Sequence, residues 1–476
     1  MRRTKILATL GPASLRPGVL EEMIAAGLDA VRLNFSHGTH EQHAAAYQRV
    51  REASARTGRP VAVLQDLQGP KIRIGKVREG GMEVKAGGTL VVTTRAIEGG
   101  DGVVSTEYAA LPRDVTPGLK ILFDEGRVEV VVREVRGEDV LCEVLDGGVL
   151  SSHKGISVPG ATLTAAAMTD KDRVNARFGL ALGVDFIALS FVRRASDVED
   201  LRALMQAEGR RVPIIAKIEK PQAIDNLDEI IAVADGVMVA RGDLAVEVSL
   251  EMIPAHQKLI IARANRAGKV VITATQMLES MTENPLPTRA EVTDVANAVL
   301  DGTDAVMLSG ETAVGKFPVE TVRRMGSIAE TTEEELYPFA RPVRPALLAE
   351  PGDFTPALAR LAGEAARDIN PRALVVFTRS GRTARRVSDE RPRAPVLAFT
   401  PDEGTYRQLA LYWGVVPRLS AEMTTPAEML AAAGARVIEE RWAAASEPVV
   451  VLLGMHTGEG ATCSLRIARA DELGAR

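Results

Sequence analysis

The chain has 476 residues, of which 46% are hydrophobic and 25% charged, with a formal net charge of −5. That balance excludes a disordered chain and supplies core material for two to four domains, while the mild negative charge and scattered arginines exclude a nucleic-acid surface. Two cysteines, Cys142 and Cys463, are too few for a disulfide framework, the first residues lack a signal-peptide pattern, and no window nears the roughly 18 apolar residues of a membrane helix, so a cytoplasmic protein with no membrane partner is expected.

From the N-terminus, short apolar runs recur at residues 5–10, 30–34, 61–65, 184–190, 213–217, 236–241, 270–275 and 305–309. Nearly continuous Val, Ile, Leu and Ala is what parallel strands covered on both faces require. Helix-like segments separate most of them, at 20–26, 40–55, 195–208, 253–267 and 291–300. Strand and helix alternating eight times predicts an α/β fold, a (β/α)₈ TIM barrel over 1–69 and 160–340. One long gap follows the third run. There, β-rich pieces at 89–93, 127–135 and 140–144 lie among turn signals such as Gly99-Gly100 and Asp146-Gly147. This predicts an inserted all-β lid domain over 70–159, expected as a β-barrel. Pro338, Pro342 and Pro345 then space a linker. A helix at 356–368, a strand at 373–378 and further alternation at 396–399, 406–412, 427–441 and 449–453 predict a C-terminal α/β regulatory domain over 350–476.

In such a barrel, function gathers at the carboxyl ends of the strands. The second run ends with Arg32, a guanidinium able to fork onto a phosphate. The fifth ends in Lys217-Ile218-Glu219; two residues apart on an extended strand, the ammonium and carboxylate share a side. They suit a phosphoryl group and a divalent metal, or else a plain ion pair at the rim. The sixth ends in Arg241-Gly242-Asp243, where Asp243 is a hard oxygen ligand for Mg²⁺ or a helix cap, and Gly242 permits close backbone approach. Thr275 closes the seventh run; Ser309 and Glu311 follow the eighth, giving hydroxyls and a carboxylate for proton relay, or ordinary caps. Together these are the groups that Mg²⁺-assisted phosphoryl transfer needs, since it relies on positioning and charge neutralisation.

No Gly-x-x-x-x-Gly-Lys-Ser/Thr loop and no His-Arg-Asp kinase set occur in the sequence. His37, His40 and His43 are spaced three apart, but no carboxylate or cysteine pattern supports a zinc site.

The segments Arg32-Leu33-Asn34-Phe35-Ser36-His37-Gly38, Ala216-Lys217-Ile218-Glu219, Ala240-Arg241-Gly242-Asp243-Leu244, Ala274-Thr275-Gln276-Met277-Leu278-Glu279-Ser280-Met281, Pro287-Thr288-Arg289-Ala290-Glu291 and Met307-Leu308-Ser309-Gly310-Glu311-Thr312 resemble the pyruvate kinase family, in that family's order. The resemblance implies transfer of a phosphoryl group from phosphoenolpyruvate to ADP, giving pyruvate and ATP. It implies that Arg32 and Lys217 hold the moving phosphoryl group, and that Glu219 and Asp243 bind Mg²⁺ or Mn²⁺. Gly242, Asp243 and Thr275 would hold the substrate carboxylate, and Arg73 and Lys154, with Asn34 and His37, the nucleotide. Thr275, Ser309 and Glu311 would form the network that protonates the enolate, and the inserted domain would close as a lid. A homotetramer is also implied.

Most of the family needs K⁺ and carries a glutamate where this chain has Lys71; Leu67, Gln68, Lys71 and Ile74 resemble the K⁺-independent branch. The expectation is that the Lys71 ammonium fills the monovalent-cation pocket of Asn34, Ser36, Asp66 and the Leu67 carbonyl, so that K⁺ is not required. In the C-terminal domain, Thr378-Arg379-Ser380-Gly381-Arg382-Thr383 lies between a predicted strand and helix and resembles the family's effector phosphate loop. The loop at 454–460 lacks the tryptophan and arginine of some fructose-bisphosphate-regulated members, so a sugar phosphate and a nucleotide both stay open as the phosphorylated effector. Two rival readings are a Mg²⁺-dependent barrel lyase acting on an enolate and an idle effector-binding protein.

Overall fold

The computed structural model describes residues 1–124, 126–161, 164, 166–337, 353–454 and 462–474. The expected linker at 338–345 and residues 455–460 of the last loop lie outside the described residues.

Eight strands, Lys5–Thr9, Ala30–Asn34, Ala62–Asp66, Phe186–Leu189, Ile214–Ile218, Gly236–Ala240, Val270–Ala274 and Ala305–Leu308, close into a parallel barrel in which the first pairs with the second and the eighth. Their continuous apolar character has a two-sided cause. Ile6, Val31, Val63, Ile187 and Val237 pack outward among the surrounding helices, while Leu7, Leu64, Phe186, Ile215, Met238 and Ile272 fill the interior. Successive side chains alternate between these two dry environments, so no polar face is left. The helices fall where expected; His40–Thr57 and Arg289–Asp301, for example, start on capping boxes at Thr39 and Thr288.

The floor of the barrel carries a repeated device that the sequence reading missed. Asp29, Asp185, Asp235 and Asp304 stand just before the second, fourth, sixth and eighth strands. Each accepts a backbone N–H from the preceding odd-numbered strand: Ile6 at 2.8 Å, Val63 at 2.8 Å, Ile214 at 2.9 Å and Val271 at 2.8 Å. A carboxylate taken from water needs donors and a countercharge. The countercharges are Arg2 at 2.8 Å, Arg51 at 2.6 Å, Arg202 at 3.1 Å and Arg391 at 2.9 Å, with Arg407 also 2.9 Å from Asp185. Arg391 and Arg407 belong to the C-terminal domain, which therefore docks on the barrel floor and leaves the opposite rim to the site.

The inserted domain has its own core, including Leu90, Val92, Phe123, Val130, Val140 and Cys142. It was expected as a β-barrel. Among the described residues it is a six-stranded sheet with Ile156–Ser157 and Val103–Ser105 at its edges, and a separate ribbon of Met82–Val84 with Gly148–Leu150. Register shifts at Glu129/Val130 and Val132/Glu134 bend the long hairpin, and residues 72–75 bridge the two edges, Arg73 pairing with Gly155 and Ile74 with Thr106, so the sheet closes as the expected barrel does. The C-terminal domain is a five-stranded sheet, parallel except for the edge strand Thr462–Arg469. That strand and Val415–Leu419 at the other edge escaped the sequence reading, because an edge strand has no continuous apolar run, and Pro417 interrupts one of them. No helix among the described residues is long and apolar enough to cross a membrane.

Candidate active site

The carboxyl ends of the barrel strands bring four ionic side chains into one buried cluster. Lys217 Nζ lies 2.7 Å from Glu219 Oε1 and 3.3 Å from Asp66 Oδ1, and donates to Ser190 Oγ at 2.7 Å. Ser190 passes the chain on to the Leu67 carbonyl at 2.7 Å. Arg32 sets Nε and Nη2 each 2.6 Å from Asp66 Oδ2 and reaches Thr9 Oγ1 at 3.1 Å. Glu219 Oε2 accepts the Phe191 N–H at 3.0 Å, across a backbone turned to φ 56° at Phe191. The two-residue spacing on the fifth strand aims Lys217 and Glu219 the same way; Asp66 arrives from the third strand and Ser190 follows the fourth.

The electrostatics of the cluster follow from burial and charge. Burial alone would lower the Lys217 pKa, but Asp66, Glu219 and Asp243 outweigh it and hold the ammonium above its ordinary value. Burial works against ionised Asp66 too, yet Lys217 and Arg32 keep its carboxyl below the usual range. Glu219 goes the other way: burial, aided by the like charge of Asp243, pushes it up despite Lys217. Its Oε1 lies 2.7 Å from Lys217 Nζ and has no other donor. A sealed carboxylate whose charge is disfavoured by burial and by a second carboxylate is a place where a divalent cation gains. Among the described residues no group of three or more His, Cys, Asp or Glu is placed to hold a metal. Two carboxylates with substrate oxygens making up the remainder is a Mg²⁺ pattern, so Glu219 and Asp243 fit such an ion.

Next to this cluster the sixth and seventh strand ends are tied together. Gly242 N donates to Thr275 Oγ1 at 2.8 Å, and Thr275 Oγ1 donates to the Ala274 carbonyl at 2.6 Å. Thr275 and Gln276 both adopt left-handed backbone, at φ 69° and 54°. For residues with a Cβ this costs on the order of 1–2 kcal/mol each, so the surroundings must impose it. A Cβ added to Gly242 would meet Thr275 only at 3.6 Å, an ordinary contact. These residues line a cleft of about 620 Å³ together with Lys71, Gly155, Phe191 and Lys220, between the barrel rim and the inserted domain.

The other expected residues are distributed as follows. Glu311 is fully buried and accepts N–H groups of Ser309 at 2.6 Å and Leu278 at 3.2 Å; burial nevertheless pushes its carboxyl up. It braces the loops after the seventh and eighth strands, with Ser309 half-buried beside it. Arg73 and Lys154 are neighbours on the inserted domain: Arg73 pairs with Gly155 and donates to the His153 carbonyl at 2.9 Å, and Lys154 meets Asp124 at 2.8 Å. Asn34 Oδ1 accepts the Ser36 N–H at 3.1 Å, and His37 is exposed, its carbonyl 2.9 Å from His43 Nε2. His40 and His43 stack on Phe178 and Phe35 at 4.1 and 3.9 Å, so packing accounts for these rings.

Lys71 is exposed on the cleft wall; a Cβ on Gly155 would lie 3.8 Å from its Cε. Among the described residues no hydrogen bond or ion pair joins Lys71 to Asn34, Ser36, Asp66 or Leu67. Asp66 is instead occupied by Arg32 and Lys217, and the Leu67 carbonyl by Ser190. The loop Thr378-Arg379-Ser380-Gly381-Arg382-Thr383 stands apart from all of these, on the floor side. Thr378 and Thr383 are buried there, Gly381 (φ 79°) precedes the helix Arg382–Asp389, and Arg379 pairs with Glu422. The loop borders an interdomain cleft of about 580 Å³ that Arg210, Arg211, Arg385 and Arg407 also line. The sequence reading gave no role to Ser190 or Phe191; a serine closing the fourth apolar run was the available signal.

Comparison with known proteins identifies the family. Residues 1–322 match the family model "Pyruvate kinase, barrel domain" and residues 356–468 match "Pyruvate kinase, alpha/beta domain". The chain is 46% identical to a pyruvate kinase of Mycobacterium tuberculosis over 477 residues, covering 99% of each. It is 50% identical to one of Corynebacterium efficiens over 413 residues, 87% of this chain and 86% of the relative. Among solved structures it is similar to a pyruvate kinase from Cryptosporidium parvum, with TM-score 0.91 and 35% identity over 98% of this chain and 96% of the other.

Proposed function

Because the chain belongs to the pyruvate kinase family, whose reaction moves the phosphoryl group of phosphoenolpyruvate to ADP, we propose that the cluster of Arg32, Asp66, Lys217, Glu219 and Asp243 is the centre of that reaction here. The supporting observation is the buried Lys217 ammonium held 3.3 Å from Asp66 and 2.7 Å from Glu219, with the Asp243 charge acting on both Lys217 and Glu219. The lyase and idle-protein readings fall with the family assignment.

The family generally uses Mg²⁺; held by Glu219 and Asp243, the ion would supply charge neutralisation and orientation to substrate oxygens. Arg32 and Lys217 neutralise the phosphoryl oxygens as the bond to the enol oxygen breaks, and Lys217 then faces the enolate. The Thr275 hydroxyl and the N–H groups of Gly242 and Asp243 orient the substrate carboxylate. Thr275, Ser309 and Glu311 form the route by which the enolate gains its proton, for which a carboxyl pushed up by burial is suited. Arg73 and Lys154, with Asn34 and His37, receive the nucleotide, and residues 70–159 close over the cleft to exclude water.

Several finer features belong to the same reading. Residues 1–69 and 160–340 form the catalytic unit and 350–476 the regulatory one, in a cytoplasmic homotetramer. The loop 378–383 receives a phosphorylated effector, supported by the arginines around its cleft. Lys71 substitutes for K⁺ once the lid closes. The central test is a coupled assay of ATP formation from phosphoenolpyruvate and ADP. Wild type forms ATP, and Lys217→Met loses at least about 10³-fold in kcat, roughly 4 kcal/mol of transition-state stabilisation. Wild-type kcat in Lys217→Met would remove the cluster from the reaction.

A further inference from the structure

Arg241 follows the sixth barrel strand and immediately precedes Gly242-Asp243, and its guanidinium is buried. Nε donates to the Ala274 carbonyl at 3.2 Å and Nη2 to the Thr275 carbonyl at 2.5 Å. Nη1 reaches Asp294 Oδ1 at 2.7 Å and Gln257 Oε1 at 3.3 Å, and Nη2 meets Met277 Sδ at 2.8 Å. A guanidinium has five N–H donors in a rigid plane. The contacts available here match all five, so the group is committed within the protein and is not placed to bind substrate.

What those contacts hold is specific. The two carbonyls lie on either side of Thr275, where the backbone turns left-handed and stays so at Gln276. The residue after Arg241 gives its N–H to the Thr275 hydroxyl. The sixth and seventh strand ends are thus strapped together twice, by Arg241 on the carbonyls and by Gly242 on the side chain. Asp294 and Gln257, on the helices Arg289–Asp301 and Ile253–Arg266, hold the strap from behind.

We propose that Arg241 is a positioning residue for phosphoryl transfer: it imposes the Thr275-Gln276 turn so that the Thr275 hydroxyl and the Gly242-Asp243 backbone face the phosphoenolpyruvate carboxylate as one preorganised unit. This rests on the reading that Thr275, Gly242 and Asp243 bind that carboxylate. Lysine in place of Arg241 keeps a charge but not the planar fork that engages two carbonyls and a carboxylate together.

The test is steady-state kinetics of the full chain, with thermal unfolding alongside. The variants are Arg241→Lys, Asp294→Asn, Thr275→Ala and the double variant Arg241→Lys/Thr275→Ala. Arg391→Met, at the opposite end of the barrel, controls for lost stability alone. Arg241→Lys is expected to lower kcat/KM for phosphoenolpyruvate at least about tenfold while KM for ADP stays within about threefold. Asp294→Asn should show the same split more weakly, and it carries the test if Arg241→Lys does not fold. The double variant should lose less than the sum of the two single losses, because both act on one element. Wild-type phosphoenolpyruvate kinetics in Arg241→Lys, an equal loss for both substrates, or additive losses in the double variant would overturn the proposal. Wild-type kinetics in Thr275→Ala would instead remove the carboxylate reading beneath it, and the proposal with it.

Discussion

The Arg391 guanidinium of the C-terminal domain lies 2.9 Å from the Asp304 carboxylate under the eighth barrel strand, and both side chains are all but sealed from solvent. Arg391 also donates to the Gly302 carbonyl at 2.8 Å and covers the Trp413 ring at 4.6 Å. Truncating one member of a buried pair strands the other. Arg391→Met is expected to destabilise the chain by about 3–5 kcal/mol, read as a lower denaturation midpoint. Arg407→Met, whose side chain is 25% exposed beside Asp185, should cost less than half as much. Equal effects would show that burial does not set the strength of these links.

At the other end of the barrel, metal binding should depend on Glu219. Mn²⁺ titrated directly onto the protein should bind at least about tenfold more weakly to Glu219→Gln than to wild type, and chelation should stop turnover in wild type. Unchanged Mn²⁺ affinity in Glu219→Gln would move the metal elsewhere.

Acid sensitivity should report on Asp66. Lys217 and Arg32, prevailing over burial, hold its folded pKa below the ordinary 3.8. The folded state therefore binds fewer protons than the unfolded one in that window. The stabilisation is complete above the ordinary value and is lost as pH falls through the lower, folded one. Asp66→Asn should be less stable than wild type at neutral pH, with the gap narrowing as the solution is acidified below about pH 4. A gap that stayed constant would mean Asp66 is not ionised in the fold.

Monovalent-cation dependence should be slight. In tetramethylammonium buffer, adding KCl should raise wild-type activity by less than about twofold, while Lys71→Met should lose activity and recover part of it with KCl. A large KCl response in wild type would show that Lys71 does not replace the ion.

Much of this protein was legible in one dimension. Strands buried on both faces must be continuously apolar, so eight such runs disclosed the barrel, and the alternating character of residues 70–159 disclosed the insertion. The two-residue spacing of Lys217 and Glu219 alone puts both on one side of a strand. Tertiary structure alone decided how the buried charges are compensated. The partner of Asp304 is Arg391, that of Asp185 includes Arg407, and Arg241 finds Asp294 on another helix. Periodicity records which face of an element is dry; it carries no record of which distant charge will meet it there. That pairing exists only once strands far apart in the chain are brought side by side, and the left-handed turn at Thr275, the floor that docks the C-terminal domain and the exposed course of Lys71 were decided the same way.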